Sequence, residues 1–213
     1  MNWLIHTLST SIGKKSMMAV TGLGFCLFLL FHLMGNLTLL AGESVFTAYV
    51  EKLHSLGPLI TAAEWVLLLM AVIHVSTGLI LYYKNLRARP NRYLKHKTAG
   101  GRTWGSATAP YTGVILLVFI MLHLMDFHFA DKTRRPLYQI VSDTFANPGY
   151  LLFYVCAMIV AALHVRHGFW SAFQTLGANH PKYMPAIMTL GILFALVIAS
   201  GFGFITLYIF WIA

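Results

Sequence analysis

Of 213 residues, 58% are hydrophobic and only 10% charged, and the mean hydropathy of +0.72 excludes an ordinary soluble domain of this length. The net charge of +9 comes from fifteen Lys and Arg, gathered mostly around Lys14–Lys15 and between Lys84 and Arg102. Placed between apolar runs, these charges read as membrane topology and exclude a nucleic-acid surface. Cys26 and Cys156 each lie alone in an apolar run, which excludes a disulfide framework.

Lys14 and Lys15 precede an apolar run over 17–40 that is longer than the roughly 7–15 residues of a signal-peptide core, so it reads as an uncleaved first span. It carries His32 and ends before Gly42. A loop over 43–56 holds Glu43 and Glu51 against Lys52. Gly57-Pro58 then opens a second span, 58–85, with Glu64 one or two turns in and His74 deeper. From Lys84 to Arg102 there are seven basic residues and no acidic one, which places this connection in the cytoplasm. The third span, 108–129, carries His123. After it a connection over 130–148 mixes Asp131 and Asp143 with Lys132, Arg134 and Arg135. The fourth span, 149–176, follows Asn147-Pro148-Gly149, carries His164 and ends at Gly177; the fifth, 184–212, carries no histidine. Each span exceeds the length needed to cross a bilayer as a helix. The expected architecture is an all-α membrane protein: one domain over 1–213, a bundle of five transmembrane helices, amino terminus in the cytoplasm and carboxyl terminus outside.

Histidines inside apolar spans are costly and call for a partner or a ligand. A lone one is readily explained by a hydrogen bond to a neighbouring helix. Here four occur, one per span in the first four, and their depths pair them. His32 lies 17 residues beyond Lys15 and His123 lies 21 beyond Arg102, about 25–31 Å from the inner side. His74 lies 10 residues before Lys84 and His164 lies 13 before Gly177, about 15–20 Å from it. Local sequence agrees: the outer pair reads His32-Leu-Met34 and His123-Leu-Met125, and the inner pair His74-x-x-x-Gly78 and His164-x-x-x-Gly168. A glycine one turn from the histidine, on the same helix face, lets a flat ring lie against the backbone. Gly35 is the candidate for that task beside His32. Neutral imidazole is a common axial ligand of haem iron, and without Cys-x-x-Cys-His any haem would be of the b type. The expectation is two haems, with iron held by His74 and His164 at the inner site and by His32 and His123 at the outer. The other histidines, His6, His54, His96, His128, His167 and His180, read as surface or loop residues.

These motifs, with the stretch His164-Val-Arg-His-Gly-Phe-Trp-Ser-Ala-Phe-Gln-Thr-Leu-Gly177, resemble the dihaem cytochrome b membrane-anchor subunit of the succinate dehydrogenase and fumarate reductase family over nearly the whole chain. The resemblance implies a bacterial cytoplasmic-membrane subunit that docks a flavoprotein and an iron–sulfur protein on the cytoplasmic face. It also implies that electrons pass between the iron–sulfur partner and menaquinone or a related quinone, with the inner haem nearer that partner and the outer haem nearer the quinone. Succinate and fumarate chemistry then belongs to another subunit, and a dimer of the whole complex is compatible with this reading. Quinone chemistry needs protons, and Glu64 and Glu51 are the first carboxylates to examine, with Asp126 and His128 in the third span. Glu51 also reads as a solvated loop carboxylate. Ser16, Trp104 and Arg166, with Lys14 and Lys15, are candidate partners for haem propionates; the lysines equally read as cytoplasmic anchors. Some dihaem fumarate reductases carry a glutamate two residues before the fourth-span histidine, whereas this chain has Ala162. Other readings are a dihaem subunit of a formate dehydrogenase or hydrogenase, and a haem-free anchor or transporter.

Overall fold

The computed structural model describes residues 2–88 and 103–213. Most of the basic connection, with Arg102 and His96, lies outside the described residues. Among the described residues eight α-helices follow in order: α1 (Asn2–Ser9), α2 (Ser11–Asn36), α3 (Glu43–His54), α4 (Pro58–Arg87), α5 (Trp104–His123), α6 (Leu137–Ala146), α7 (Pro148–Thr175) and α8 (Met184–Ile212). A 3-10 turn, Leu37–Ala41, extends α2, and a π-helical turn, Leu124–His128, extends α5. With these extensions, five helices among the described residues are long and apolar enough to cross a membrane: Ser11–Ala41, Pro58–Arg87, Trp104–His128, Pro148–Thr175 and Met184–Ile212. Each begins or ends within a few residues of the expected span. Among the described residues there is no strand.

Caps explain the boundaries. The Thr10 hydroxyl accepts from Gly13 N–H at the start of α2, Thr103 and Ser106 form a reciprocal capping box at α5, and the Asn147 side chain accepts from Gly149 and Tyr150 N–H at α7. Gly177 at φ 100° ends α7, where Ala178 N–H reaches back to the Phe173 carbonyl at 2.9 Å.

Successive long helices run antiparallel. Gly22 and Gly24 of α2 face His74 and Met70 of α4; Gly105 and Gly113 of α5 face His167 and His164 of α7; Gly191 of α8 meets Phe169 of α7. Contacts are extensive for α2 with α4, α5 with α7, α2 with α7, and above all α7 with α8, whereas α4 and α5 barely touch. The first four long helices therefore form a square opened along its α4/α5 side, with α2 opposite α5 and α4 opposite α7, and α8 leans against α7 and α2. Val20, Leu27, Leu68, Leu69, Val72, Leu193 and Val197 are exposed along the long helices. Such a surface would be a liability in water and is what a helix shows to lipid.

One end of the bundle carries Lys14, Lys15, Lys84 and Arg87 and is called here the basic end. The other is roofed by α3 and α6, which sequence reading treats as loops. Both are short amphipathic helices. Phe46 of α3 and Val141 and Phe145 of α6 are buried, and they join Leu33, Leu39, Phe119, Tyr154, Ile198, Ile205 and Ile209 in the main apolar core. This is the capped end. Gly35 belongs to the roof: a Cβ there would lie 2.7 Å from Cζ of Tyr49 in α3. The expectation that Gly35 seats a porphyrin is therefore corrected, because the Tyr49 ring already occupies that position. Gly35→Ala should destabilise the purified protein by about 1–3 kcal/mol through overpacking. Thermal unfolding in detergent checks this, and Tyr49→Phe, which removes the hydroxyl nearest the new methyl, should recover part of the loss.

Candidate functional site

The bundle brings the four span histidines together in the pairs their depths suggest, each pair across a diagonal of the square. His32 of α2 faces His123 of α5 with ring centroids 5.9 Å apart and planes at 90°. His74 of α4 faces His164 of α7 at 6.4 Å and 69°. Two imidazoles coordinated to one iron, each nitrogen roughly 2 Å from the metal, would hold their centroids about 6 Å apart. Both pairs have that spacing. The first lies towards the capped end and the second towards the basic end.

Surroundings of the two pairs differ. At the basic-end pair, Nδ1 of His74 lies 3.1 Å from the Met18 carbonyl and 3.2 Å from the Thr21 hydroxyl, and Nδ1 of His164 lies 3.0 Å from the Thr112 hydroxyl. A carbonyl can only accept, so His74 Nδ1 carries the hydrogen and Nε2 is left with a free lone pair. Beside these rings space is kept open: a Cβ on Gly168 would meet nothing within 4 Å, and one on Gly78 only the Met18 sulfur at 3.7 Å. Both glycines thus suit the flat-ring contact expected of them. At the capped-end pair aromatic rings replace hydroxyls, and the one side-chain hydrogen-bond contact to either ring among the described residues is the Asn36 amide, whose Nδ2 lies 3.5 Å from His32 Nδ1. Phe28 stacks on His32 at 5.1 Å and Phe202 lies 5.5 Å from it, while Phe119, Phe127 and Tyr154 surround His123 at 5.2–6.1 Å. His123 Nδ1 is buried with no hydrogen-bond partner among the described residues, an orphaned group of the kind a bound ligand or water explains.

The carboxylates gather at the capped end. Glu64, in the second turn of α4, lies 3.8 Å from Nδ1 of His128, and both side chains are about half exposed. The pair bridges the open α4/α5 side. Asp126 accepts a hydrogen bond of 3.1 Å from the Tyr154 hydroxyl, and Tyr154 in turn packs against His123. The π-helical turn produces this arrangement: Phe129 N–H bonds to the Leu124 carbonyl, one residue further back than in an α-helix. It shifts Asp126 and His128 from the positions that a continuous α-helix would give them. Glu51 stands exposed on α3. Asp131, also at this end, is held below the usual carboxylate range by hydrogen bonds from the Thr133 hydroxyl and N–H.

Candidate propionate contacts are spread along the basic end. Ser16 is partly buried on α2, Arg166 is exposed on α7, and Trp104, at 90% exposure, points away from the bundle. Lys14 donates to the Ser9 carbonyl. His167, read from sequence as lying near a membrane surface or loop, is partly buried against Gly105 and Trp170, with no partner for Nδ1 among the described residues. The close approach of α5 at Gly105 covers its ring.

Sequence reading missed Thr21 and Thr112, although a signal was present. Thr21-Gly22 stands eleven residues before His32, and Thr112-Gly113 stands eleven before His123. Shifting α2 onto α5 by 91 residues superposes Thr, Gly and His, and shifting α4 onto α7 by 90 superposes His and Gly. The halves of the bundle repeat one pattern.

Residues 84–200, rather more than half of the chain, match the family described as succinate dehydrogenase/fumarate reductase transmembrane subunit. The chain belongs to that family. No curated protein and no solved structure matches it. Membership makes the protein a multi-pass membrane subunit that associates with other subunits of a succinate dehydrogenase or fumarate reductase complex. The match includes α5, α7 and their His123 and His164, and begins only at the end of α4. For His32 and His74 the argument therefore rests on the internal repeat and on the distances just given.

Proposed function

We propose that this protein is the membrane-anchor cytochrome b of its complex, relaying electrons between an iron–sulfur partner at the basic end and menaquinone or a related quinone at the capped end. The observation that carries the reading is the spacing of two diagonal histidine pairs at two depths, with centroids 5.9 and 6.4 Å apart. Two b haems bound there would supply one-electron redox centres at both depths. His74 and His164 hold the one nearer the basic end, and His32 and His123 the other. Thr21 and the Met18 carbonyl keep His74 oriented, while the aromatic shell keeps water from the capped-end pair. The basic end faces the cytoplasm, in accord with its Lys and Arg, and there meets the iron–sulfur and flavoprotein subunits. Ser16 and Arg166 remain the propionate contacts best placed along that end.

At the capped end Glu64 and His128 form the acid–base pair for quinone. They stand at the open α4/α5 side, where a lipid-soluble substrate can enter from the bilayer, and a carboxylate beside an imidazole can pass protons to and from quinone oxygens. Glu51, on the roof helix, can serve as the proton entry from outside.

The purified complex should show reduced-minus-oxidised b-type bands with two haems per chain. Near-perpendicular imidazole planes should give the ferric capped-end centre a strongly anisotropic low-spin EPR signal. A complex without b-type bands would remove the cytochrome reading and leave a cofactor-free anchor.

A further inference from the structure

The basic-end imidazoles are held by the same device twice. Thr21 Oγ1 donates to its own helix at the Met17 carbonyl, 2.8 Å, or at Met18, 3.2 Å; Thr112 Oγ1 donates at the Thr108 carbonyl, 3.2 Å, or at Ala109, 3.1 Å. Because each hydroxyl hydrogen is already engaged, the oxygen that faces the opposite imidazole offers a lone pair. Its partners are His74 Nδ1 at 3.2 Å and His164 Nδ1 at 3.0 Å. In each case the backbone carbonyl three residues earlier, Met18 or Ala109, also faces the ring. The following glycine completes the seat: a Cβ on Gly22 would lie 3.2 Å from His74 Cε1, and one on Gly113 would lie 3.3 Å from His164 Cε1. Thr and Gly together thus grip a ring edge, the one by accepting a hydrogen bond and the other by having no side chain.

We infer that Thr21 and Thr112 are positioning residues that fix His74 and His164 as Nδ1–H tautomers, Nε2 towards the iron, and that they set the potential of the basic-end haem. This rests on the cytochrome reading above. An imidazole whose Nδ1–H is donated to an acceptor is a more basic ligand through Nε2 and favours the oxidised metal. Hydroxyl back-bonding in a membrane helix is ordinary by itself. What distinguishes these two is the repetition of the whole seat on both halves and its absence from the capped-end pair.

The test uses the intact complex with Thr112→Val, which keeps the shape and loses the acceptor, and Thr112→Ser, which keeps the acceptor. Redox titration of the α-bands and low-temperature EPR are the readouts. Thr112→Val should retain both haems, move the basic-end midpoint to a more positive potential and alter its EPR signal, leaving the capped-end centre in place; Thr21→Val/Thr112→Val should move it further. Thr112→Ser should restore the parent values. Unchanged potentials in both valine proteins, or an equal shift in Thr112→Ser, would overturn the inference. If Thr112→Val does not keep the basic-end haem, Thr112→Ser decides: parent potential with haem bound supports the inference, and a shifted or lost centre refutes it. A parent complex without b-type bands would instead refute the cytochrome reading.

Discussion

Replacing His164 by Ala should remove one haem of two, and it should be the one at the basic end. The reduced-minus-oxidised amplitude is expected to fall by roughly half, one of two potentials to vanish from a redox titration, and the anisotropic EPR signal of the capped-end centre to remain. His74→Ala should give the same spectrum, since both histidines face one gap of 6.4 Å. Independence of the two sites follows from the packing. The basic-end pair is held by Thr21, Thr112 and Met18, whereas the capped-end pair is held by Phe28, Phe119, Phe127, Tyr154 and Phe202, with no residue common to both sets. The apolar core of Leu33, Phe119, Tyr154 and Ile205 surrounds only the second. Losing the basic-end haem should therefore leave the protein folded in the membrane. If His164→Ala and His32→Ala removed the same haem, the pairing would be wrong.

Much of this was legible from residue order because the bilayer imposes one-dimensional rules. Length and hydropathy set the five spans, Gly, Pro and Asn marked their ends, and depth along a helix is a matter of counting residues at a fixed rise. The pairing of His32 with His123 and of His74 with His164 needed nothing else. What escaped were features set by rotation about a helix axis and by folding of short segments. The acidic and basic residues of α3 and α6 read as loops, although Phe46, Tyr49 and Val50, and Tyr138, Val141 and Phe145, recur at helical spacing. Distance from His32 alone makes Gly35 a candidate seat for a porphyrin, and that distance carries no information on α3, which covers it. The π-helical turn over Leu124–His128 has no marker in residue order, and it is the segment that carries His128, which meets Glu64, and Asp126, which meets Tyr154.

That turn also frames the other large expected effect. All six carboxylates of the chain, Glu43, Glu51, Glu64, Asp126, Asp131 and Asp143, belong to the capped end, and the residue two before His164 is Ala162. On the proposed reading, with quinone at the Glu64–His128 pair, protons would be exchanged at the capped face while electrons would arrive from the basic end. With no carboxylate between them to carry a compensating proton, each electron would then move charge across the membrane, worth about 2.3 kcal/mol per 100 mV for a full crossing. In proteoliposomes, a potential negative on the basic-end side should accelerate succinate-driven quinone reduction, and an uncoupler should slow it; quinol-driven fumarate reduction should respond in the opposite sense. Glu64→Gln should lower quinone-linked turnover roughly 10²-fold, the usual worth of a positioned proton donor, while leaving haem content and turnover with a soluble dye acceptor intact. His128→Gln should act in the same direction and to a smaller degree, since the carboxylate remains. Turnover indifferent to imposed potential would mean that protons cross by another route, and a Glu64→Gln protein with parent quinone activity would move the quinone away from this pair.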